Sequence, residues 1–182
     1  MVVRSDFREP NRLLWCLEEV PVAFEDYVSA RFPALRRLAY LLTGDWNEAE
    51  DLVQEALVRC ERRWRQIAAD DPHAYVRRAV VNGAANWRRR RRLELPLAED
   101  AAVGDHAPST DARVTLLAAL RRLPVEQRQV LVLRFFEQLS EAETARALGI
   151  PAGTVKSRSS RGLEALRQAG LDTTTTRTGI AT

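Results

Sequence analysis

The sequence contains few of the side chains that build redox and metal sites. It has two cysteines and two histidines in 182 residues. Cys16 and Cys60 show no CxxC spacing, and we interpret the isolated His73 and His106 as surface or loop residues. A disulfide framework needs more cysteines, and a zinc site needs ligands at short fixed spacings. The sequence therefore predicts no metal ion and no cofactor, and it favours a reducing, cytoplasmic compartment.

Long apolar runs are also absent. None approaches the roughly 20 residues that a bilayer-spanning helix needs. The apolar segment 13–17 is too short for the core of a signal peptide and is followed by two glutamates. We therefore predict no membrane association, and we expect residues 1–21 to form a disordered extension. One hypothesis is that translation starts near Val20.

The chain has little excess of either charge. Its formal net charge of +3 is small, so contacts with nucleic acid must come from local clusters of charge. Apolar residues recur at helical spacing, and no segment shows the alternation of a strand. Residues 93–110 interrupt this pattern with two prolines, a glycine and four acids, and contain no lysine or arginine. The sequence thus predicts an all-α fold of two small helical domains, at 22–92 and 111–170, with a flexible acidic linker at 93–110 and a polar tail at 171–182.

The N-terminal domain is predicted to contain three helices. The first covers 24–43 and is kinked or broken at Pro33, because proline removes a helical hydrogen bond. Asp45 begins the second helix as its N-cap. Residues 66–72 form a loop, and the third helix starts near His73 and runs into a set of five consecutive arginines.

The most specific pattern in the chain is LSEAETARALGIPAGTVKSRSSR, at 139–161. Ala145 is small enough for a second helix to cross closely, Gly149 can end the first helix in the left-handed conformation, and Val155 can fill the angle between them. This spacing indicates a helix-turn-helix, with a structural helical hairpin as the alternative. The second helix projects the polar and basic side chains that meet the major groove in such motifs. These are Lys156, Ser157, Arg158, Ser160 and Arg161.

One face of the third helix carries an aromatic ring, amides and arginines. Its members are Tyr75, Arg78, Asn82, Asn86 and Arg89. Rings stack on bases, amides bond to base edges and arginines bind phosphates, so this stripe suits a nucleic-acid strand. A solvated helix face is the alternative. The dense positive charge of the arginine run at 88–92 favours the nucleic-acid interpretation.

The second helix is acidic around its apolar stripe. Glu48, Glu50, Asp51 and Glu55 are typical of a solvated face, and a docking surface for a basic protein is the sharper alternative. The third interpretation is a metal-dependent nuclease that uses Glu50, Asp51 and Glu55. No histidine joins these carboxylates, and no glycine-rich phosphate loop is near them.

Three segments resemble one family in the expected order. DWNEAEDLVQE at 45–55 resembles the motif DAEDLVQE, 75–90 resembles WLxxIAxNxxxDxxR, and 123–161 is similar to LPxxQRxVLxLRxxEGLSxxEIAxxLGIPxGTVKSRxxR. These motifs identify the extracytoplasmic-function (ECF) sigma factors of the sigma-70 superfamily. The segment KSRSSRG resembles an actinobacterial, SigE-like subgroup.

The resemblance implies a promoter-specificity factor for RNA polymerase and not an enzyme. It implies that Asp51, Gln54 and Glu55 dock on the clamp helices of the largest subunit, and that the flap of the second largest subunit is a further contact. An anti-sigma factor is a further partner that the resemblance implies. The rival function is a free-standing helix-turn-helix regulator, which leaves the acidic helix and the stripe of the third helix unexplained.

The resemblance also assigns the DNA contacts. The loop 66–72 matches the segment that holds a base flipped from the minus-ten element. Asn82 and Asn86 line that strand, and Tyr75 stands where the family usually has Trp. In the helix-turn-helix, the residues that match readers of the minus-thirty-five element are Lys156, Ser157, Ser160 and Arg161.

Three positions depart from the family pattern. Thr144 replaces the usual Ile, which we expect to weaken packing, and Ser159 replaces a Leu. Asn86 replaces an Asp. We expect these differences to affect which promoter is read rather than whether one is read.

Overall fold

The computed structural model describes residues 23–94 and 111–171, and it describes side chains at 23–86 and 115–171. These residues form eight α-helices and one π-helical segment, and none of them lies in a strand, which confirms the all-α prediction. The extension 1–21, linker residues 95–110 and tail residues 172–182 lie outside the described residues. The elements in chain order are α1 (Phe24–Thr43), α2 (Trp46–Glu61), α3 (Trp64–Ile67), α4 (Pro72–Glu94), α5 (Asp111–Arg122), α6 (Val125–Leu131), the π segment (Val132–Phe136), α7 (Glu141–Leu148) and α8 (Ala152–Gln168).

The first helix runs through Pro33 without a break. The sequence predicted a kink or a break at this residue, and the break was wrong. Pro33 cannot donate to the carbonyl of Ser29. Both residues are exposed, so water can satisfy that carbonyl. The helix ends at Gly44, whose φ of 84° is left-handed, and Asp45 then caps α2 by accepting from the N–H groups of Asn47 (2.8 Å) and Glu48 (3.0 Å).

The loop predicted at 66–72 is shorter than expected. Trp64 and Ile67 turn toward the core and form the one-turn helix α3. The ring of Trp64 packs edge-on against Phe24 at 5.2 Å between centroids and lies 4.9 Å from Tyr27. Only 68–71 remain as a turn, because burial of the two apolar side chains one turn apart favours helix over loop.

The C-terminal half contains the predicted helix-turn-helix. Ser140 and Glu143 form a reciprocal capping box at the start of α7. Gly149 ends α7 with a φ of 66°, and Val155 of α8 is fully buried between the helices. Gly149 and Val155 therefore have the structural roles that the sequence predicted for them.

The two halves of the chain, 23–94 and 111–171, pack directly against each other. The main core cluster is built from α1, α2 and α4, and it also includes Val132, Leu133 and Leu139 from the C-terminal half. Leu41 of α1 in turn packs against the second cluster, which is otherwise formed by the C-terminal half. The sequence pattern predicted two domains but not this shared core.

Arg128 joins the halves through backbone carbonyls. Its side chain is fully buried. The guanidinium donates to the carbonyl of Leu42 in the last turn of α1 at 2.7 Å and to that of Leu123 at 3.2 Å, and it also bonds to the carbonyl of Arg121 at the end of α5. A cation is stabilised where helices end, because unpaired carbonyls concentrate negative charge there.

The buried hydroxyl of Thr144 allows a test of how this side chain affects the stability of the helix-turn-helix. Its side chain is fully buried, and its hydroxyl has no hydrogen-bond partner among the described residues. We predict that Thr144→Val raises the free energy of unfolding by about 1 kcal/mol, because the substitution removes an unpaired buried hydroxyl at nearly constant volume. Urea unfolding measures the change.

The matched control is Thr43→Val. The Thr43 hydroxyl donates to the carbonyl of Ala39 at 3.0 Å, so this variant should lose stability by about 1 kcal/mol. A loss of stability in Thr144→Val similar to that of the control contradicts the prediction.

Candidate nucleic-acid interface

The helix α4 presents a polar stripe to solvent. Tyr75 is 45% exposed, and Arg78, Asn82 and Asn86 are exposed on the same side. The opposite side is apolar and carries the fully buried Val76 and Val80 among others. The structure therefore brings together four of the five residues predicted for this surface; the fifth, Arg89, lies in α4, but its side chain is outside the described residues.

A cap at the first turn of α4 and a close contact with α2 hold the stripe in place. Asp71 accepts a hydrogen bond from the N–H of Ala74 at 2.9 Å and so caps the first turn. Gly83 allows α2 to approach closely, since a Cβ at that position would lie 2.6 Å from a methyl carbon of Leu52. A rigid helix with exposed amides at fixed spacing is suited to binding a strand along its length.

The helix α8 exposes a second polar surface. Lys156, Ser157, Ser160 and Arg161 are exposed, whereas Arg158 is half-buried. The guanidinium of Arg161 donates to the carbonyl of Ser157 at 3.2 Å and to its hydroxyl at 3.4 Å. These bonds hold the charged group over the face that the sequence predicted to enter the major groove.

The acidic residues of α2 separate into two groups. Asp51, Gln54 and Glu55 are exposed on the outer face. Glu50 is turned toward α1 and lies 3.7 Å from Arg36. Among the residues that the structure describes, no three His, Cys, Asp or Glu side chains lie close enough together to hold a metal ion. No helix in the described ranges is both long and apolar enough to cross a membrane.

A third side of α4, which the sequence did not reveal, contacts the C-terminal half. The guanidinium of Arg77 lies 3.4 Å from the carboxylate of Glu137, and these side chains are 13% and 15% exposed. About one helical turn further along α4, the amide of Gln129 donates to the carbonyl of Val81 at 2.8 Å. The salt bridge and hydrogen bond join distant parts of the chain, and periodicity on a single helix carries no signal for such pairs.

His73 belongs to the same contact, so its interpretation as a surface or loop residue was wrong. Its side chain is 20% exposed, and its Nδ1 is hydrogen-bonded with the Tyr27 hydroxyl at 3.2 Å. Burial lowers the pKa of His73 to about 4, and the positive charge of Arg77 acts in the same direction. Burial also raises the pKa of Glu137, against the effect of Arg77. At neutral pH His73 is therefore uncharged.

A helix-turn-helix and a second helix with exposed amides and an arginine on one chain define a helical DNA-binding protein. The comparisons are more specific. The family described as Sigma-70 region 2 matches residues 27–94, and Sigma-70, region 4 matches residues 113–166. The chain belongs to the sigma-70 family of RNA polymerase sigma factors, in its ECF subfamily. The exact domain boundaries, 22–92 and 111–170, stay a prediction.

Relatives support this assignment at the level of whole proteins. An RNA polymerase sigma-E factor of Streptomyces avermitilis is 45% identical over 152 residues, which cover 80% of this chain and 83% of that protein. The ECF sigma factor SigM of Mycobacterium tuberculosis is 33% identical over 142 residues, covering 76% and 72%. Among solved structures, the sigma factor RpoE of Bartonella quintana, in complex with the anti-sigma factor NepR, matches with a TM-score of 0.69 and 25% identity, covering 80% of this chain and 95% of that chain.

The burial of His73 predicts a specific pH dependence. Between about pH 6.5 and pH 4 the unfolded chain binds a proton at His73 that the folded chain does not, so stability is lost as the pH falls through this range. We predict that His73→Gln removes this loss, which amounts to at most about 3 kcal/mol for a shift of this size.

Urea unfolding of both chains at pH 4, 5, 6 and 7 measures this contribution. The difference between their free energies of unfolding should change in favour of His73→Gln as the pH falls. Glu137 titrates in both chains, so the comparison isolates the histidine. Parallel curves across the range contradict the assignment.

Proposed function

We propose that this sigma factor binds core RNA polymerase in the cytoplasm, places it at promoters with two separated elements, and opens the duplex without catalysing a reaction. The observation that carries this proposal is the exposed stripe of Tyr75, Arg78, Asn82 and Asn86 on α4, which accompanies a separate basic face on α8. A regulator that only grips duplex DNA needs the second of these surfaces but not the first.

The α8 face suits recognition of the upstream, minus-thirty-five element. Lys156, Ser157, Ser160 and Arg161 occupy the exposed side that a major groove can contact. A good bidentate contact between a side chain and a base is worth about 1–3 kcal/mol of discrimination. The half-buried Arg158 suits a flanking phosphate better than a base edge.

The α4 stripe and the turn before it suit the downstream, minus-ten element. Flipping a base out of the duplex costs a few kcal/mol, and stacking and amide hydrogen bonds to the extruded base offset this cost. Tyr75 supplies a ring, and Asn82 and Asn86 supply amides along one line. Binding energy of the single strand can then open the promoter without nucleotide hydrolysis.

The outer face of α2 suits the polymerase clamp. Asp51 and Glu55 offer negative charge to a basic helical surface, and Gln54 lies between them. The flap is proposed to contact the C-terminal half, where an apolar pocket is lined by side chains that include Leu116, Leu120, Leu131, Phe135 and Leu163. The solved relative RpoE is in complex with the anti-sigma factor NepR, which supports an anti-sigma partner for this chain as well.

Use of both DNA surfaces requires the two halves to separate. The minus-ten and minus-thirty-five elements lie about 25 base pairs apart, which is about 85 Å of B-DNA at 3.4 Å per base pair. A compact body of about 130 residues has a radius of gyration of about 14 Å and is only about 36 Å across. The packed form therefore cannot reach both elements, and promoter binding must break the contact between Arg77 and Glu137.

In vitro transcription with core polymerase tests the proposal. The template is a promoter selected from a randomised library, supplied as full duplex or with its minus-ten region already unpaired. We predict start-specific transcripts only when the sigma factor is added. Asn82→Ala should reduce transcription from the duplex by tenfold or more, and from the unpaired template by less than threefold, because the variant loses strand capture and not polymerase binding.

Two results count against the proposal. Absence of binding to core polymerase, together with sequence-specific binding of the free chain to duplex DNA, would support the free-standing regulator instead. Equal losses on the two templates in Asn82→Ala would contradict the role of α4 in strand capture while leaving polymerase binding intact.

A further inference from the structure

The last turn of α1 is seated on the C-terminal half of the chain, and three contacts attach it there. The carbonyl of Leu42 accepts a hydrogen bond from the buried guanidinium of Arg128 at 2.7 Å. Gly44 leaves room for the side chain of Arg121, which a Cβ at this position would overlap. The side chain of Leu41 packs against the second core cluster, which is otherwise formed by the C-terminal half. The end of α1 therefore covers a surface of the other half.

That surface includes the apolar pocket at which the flap is proposed to bind. Nine described side chains line the pocket, all of them leucine, valine or phenylalanine, and Leu41 is the one that belongs to the N-terminal half. The remaining cavity volume is about 30 Å³, which is room for roughly two water molecules. A leucine-sized side chain of a partner needs more space than this. With Leu41 in place, the pocket is thus too small to receive an apolar anchor.

The walls that the C-terminal half contributes are tightly packed. Leu131 of α6 fits directly against α8, since a Cβ at Gly162 would lie only 2.9 Å from a methyl carbon of Leu131. Leu120 and Leu166 are buried in the same cluster. Leu41, in contrast, is half-buried and is carried by the other half. The pocket can therefore enlarge by moving α1 away, without any change in the core of the C-terminal half.

We propose that Leu41 is an autoinhibitory plug, which closes the apolar pocket in the free chain so that the flap binds only after the halves separate. This inference rests on the proposed function and adds a competition between packing within the chain and binding to polymerase. A ligand that binds only the open form shifts the chain toward that form, and its apparent affinity is reduced by the fraction of chains that are open. The free chain accordingly keeps its two DNA-binding surfaces close together until polymerase displaces the plug.

The affinity of the full chain for the flap tests the plug. The probe is a fluorescent peptide that carries the helical tip of the polymerase flap, and its anisotropy reports binding. We expect Leu41→Ala to bind the peptide about tenfold more tightly than the wild type, because the loss of a half-buried leucine side chain weakens the packed form. Arg77→Gln weakens the contact between the halves away from the pocket and should also raise the affinity severalfold.

The matched control is Val28→Ala. Val28 is a half-buried apolar residue of α1 that packs against the main core cluster and does not line the pocket. This variant should bind the peptide with the wild-type affinity. An unchanged affinity in Leu41→Ala overturns the inference, as does an equal gain in the control. Dimerisation of Leu41→Ala without tighter peptide binding also overturns it and indicates a second copy of the chain as the occupant of the pocket.

The coupling is reciprocal, so the peptide must in turn separate the halves. Energy transfer between labels at the exposed residues Arg37 and Gln168 of the otherwise wild-type chain measures this effect without any change at Leu41. Saturating peptide should increase the distance between the labels. Binding of the peptide at an unchanged distance overturns the inference, and so does a chain that binds core polymerase but not the peptide. A chain that does not bind core polymerase contradicts the proposed function itself.

Discussion

The arrangement of both halves depends on the buried guanidinium of Arg128. This group brings together the ends of α1 and α5, which belong to different halves of the chain, by donating to the carbonyls of Leu42 and Arg121. Because a buried charge is costly unless it is hydrogen-bonded, these carbonyls lie near it as long as the halves are packed together. The ends of α1 and α5 are thereby fixed relative to α6, which carries Arg128. The apolar clusters on either side can then merge across the boundary, as Val132 and Leu41 show.

The packing gives α4 three roles on three sides. One side completes the core of the N-terminal half, a second presents Asn82 and Asn86 to solvent, and a third holds the C-terminal half through Arg77. The guanidinium of Arg78, on the strand-binding stripe, would lie 3.9 Å from a Cβ at Gly149 in the turn of the helix-turn-helix. The proposed strand site and the contact between the halves are therefore neighbours. In the proposed function, binding to widely separated promoter elements breaks that contact, so polymerase and DNA together supply the free energy of opening.

The sequence predicted those features that follow from local chemistry. Gly149 and Val155 revealed the helix-turn-helix because few other structures need a left-handed residue and a buried apolar side chain at that spacing. Asp45 likewise revealed the start of α2. Helix α3 was missed because one turn is too short to show periodicity. The burial of His73 and its contact with Glu137 were missed because they depend on a segment more than 60 residues away. The surfaces on α4 and α8 were predicted as stripes, but the half-buried position of Arg158 required the packing of α8.

The central claim is that a packed sigma factor separates into two halves when it binds a promoter. The most direct measurement is the distance between fluorescent labels at Arg37 on α1 and Gln168 at the end of α8, both exposed, by single-molecule energy transfer. The free chain should show one short distance, consistent with a body about 36 Å across. The complex with polymerase and promoter should show an increase of several tens of ångströms, because the two elements lie about 85 Å apart. A short distance that persists in a transcriptionally active promoter complex would contradict the account.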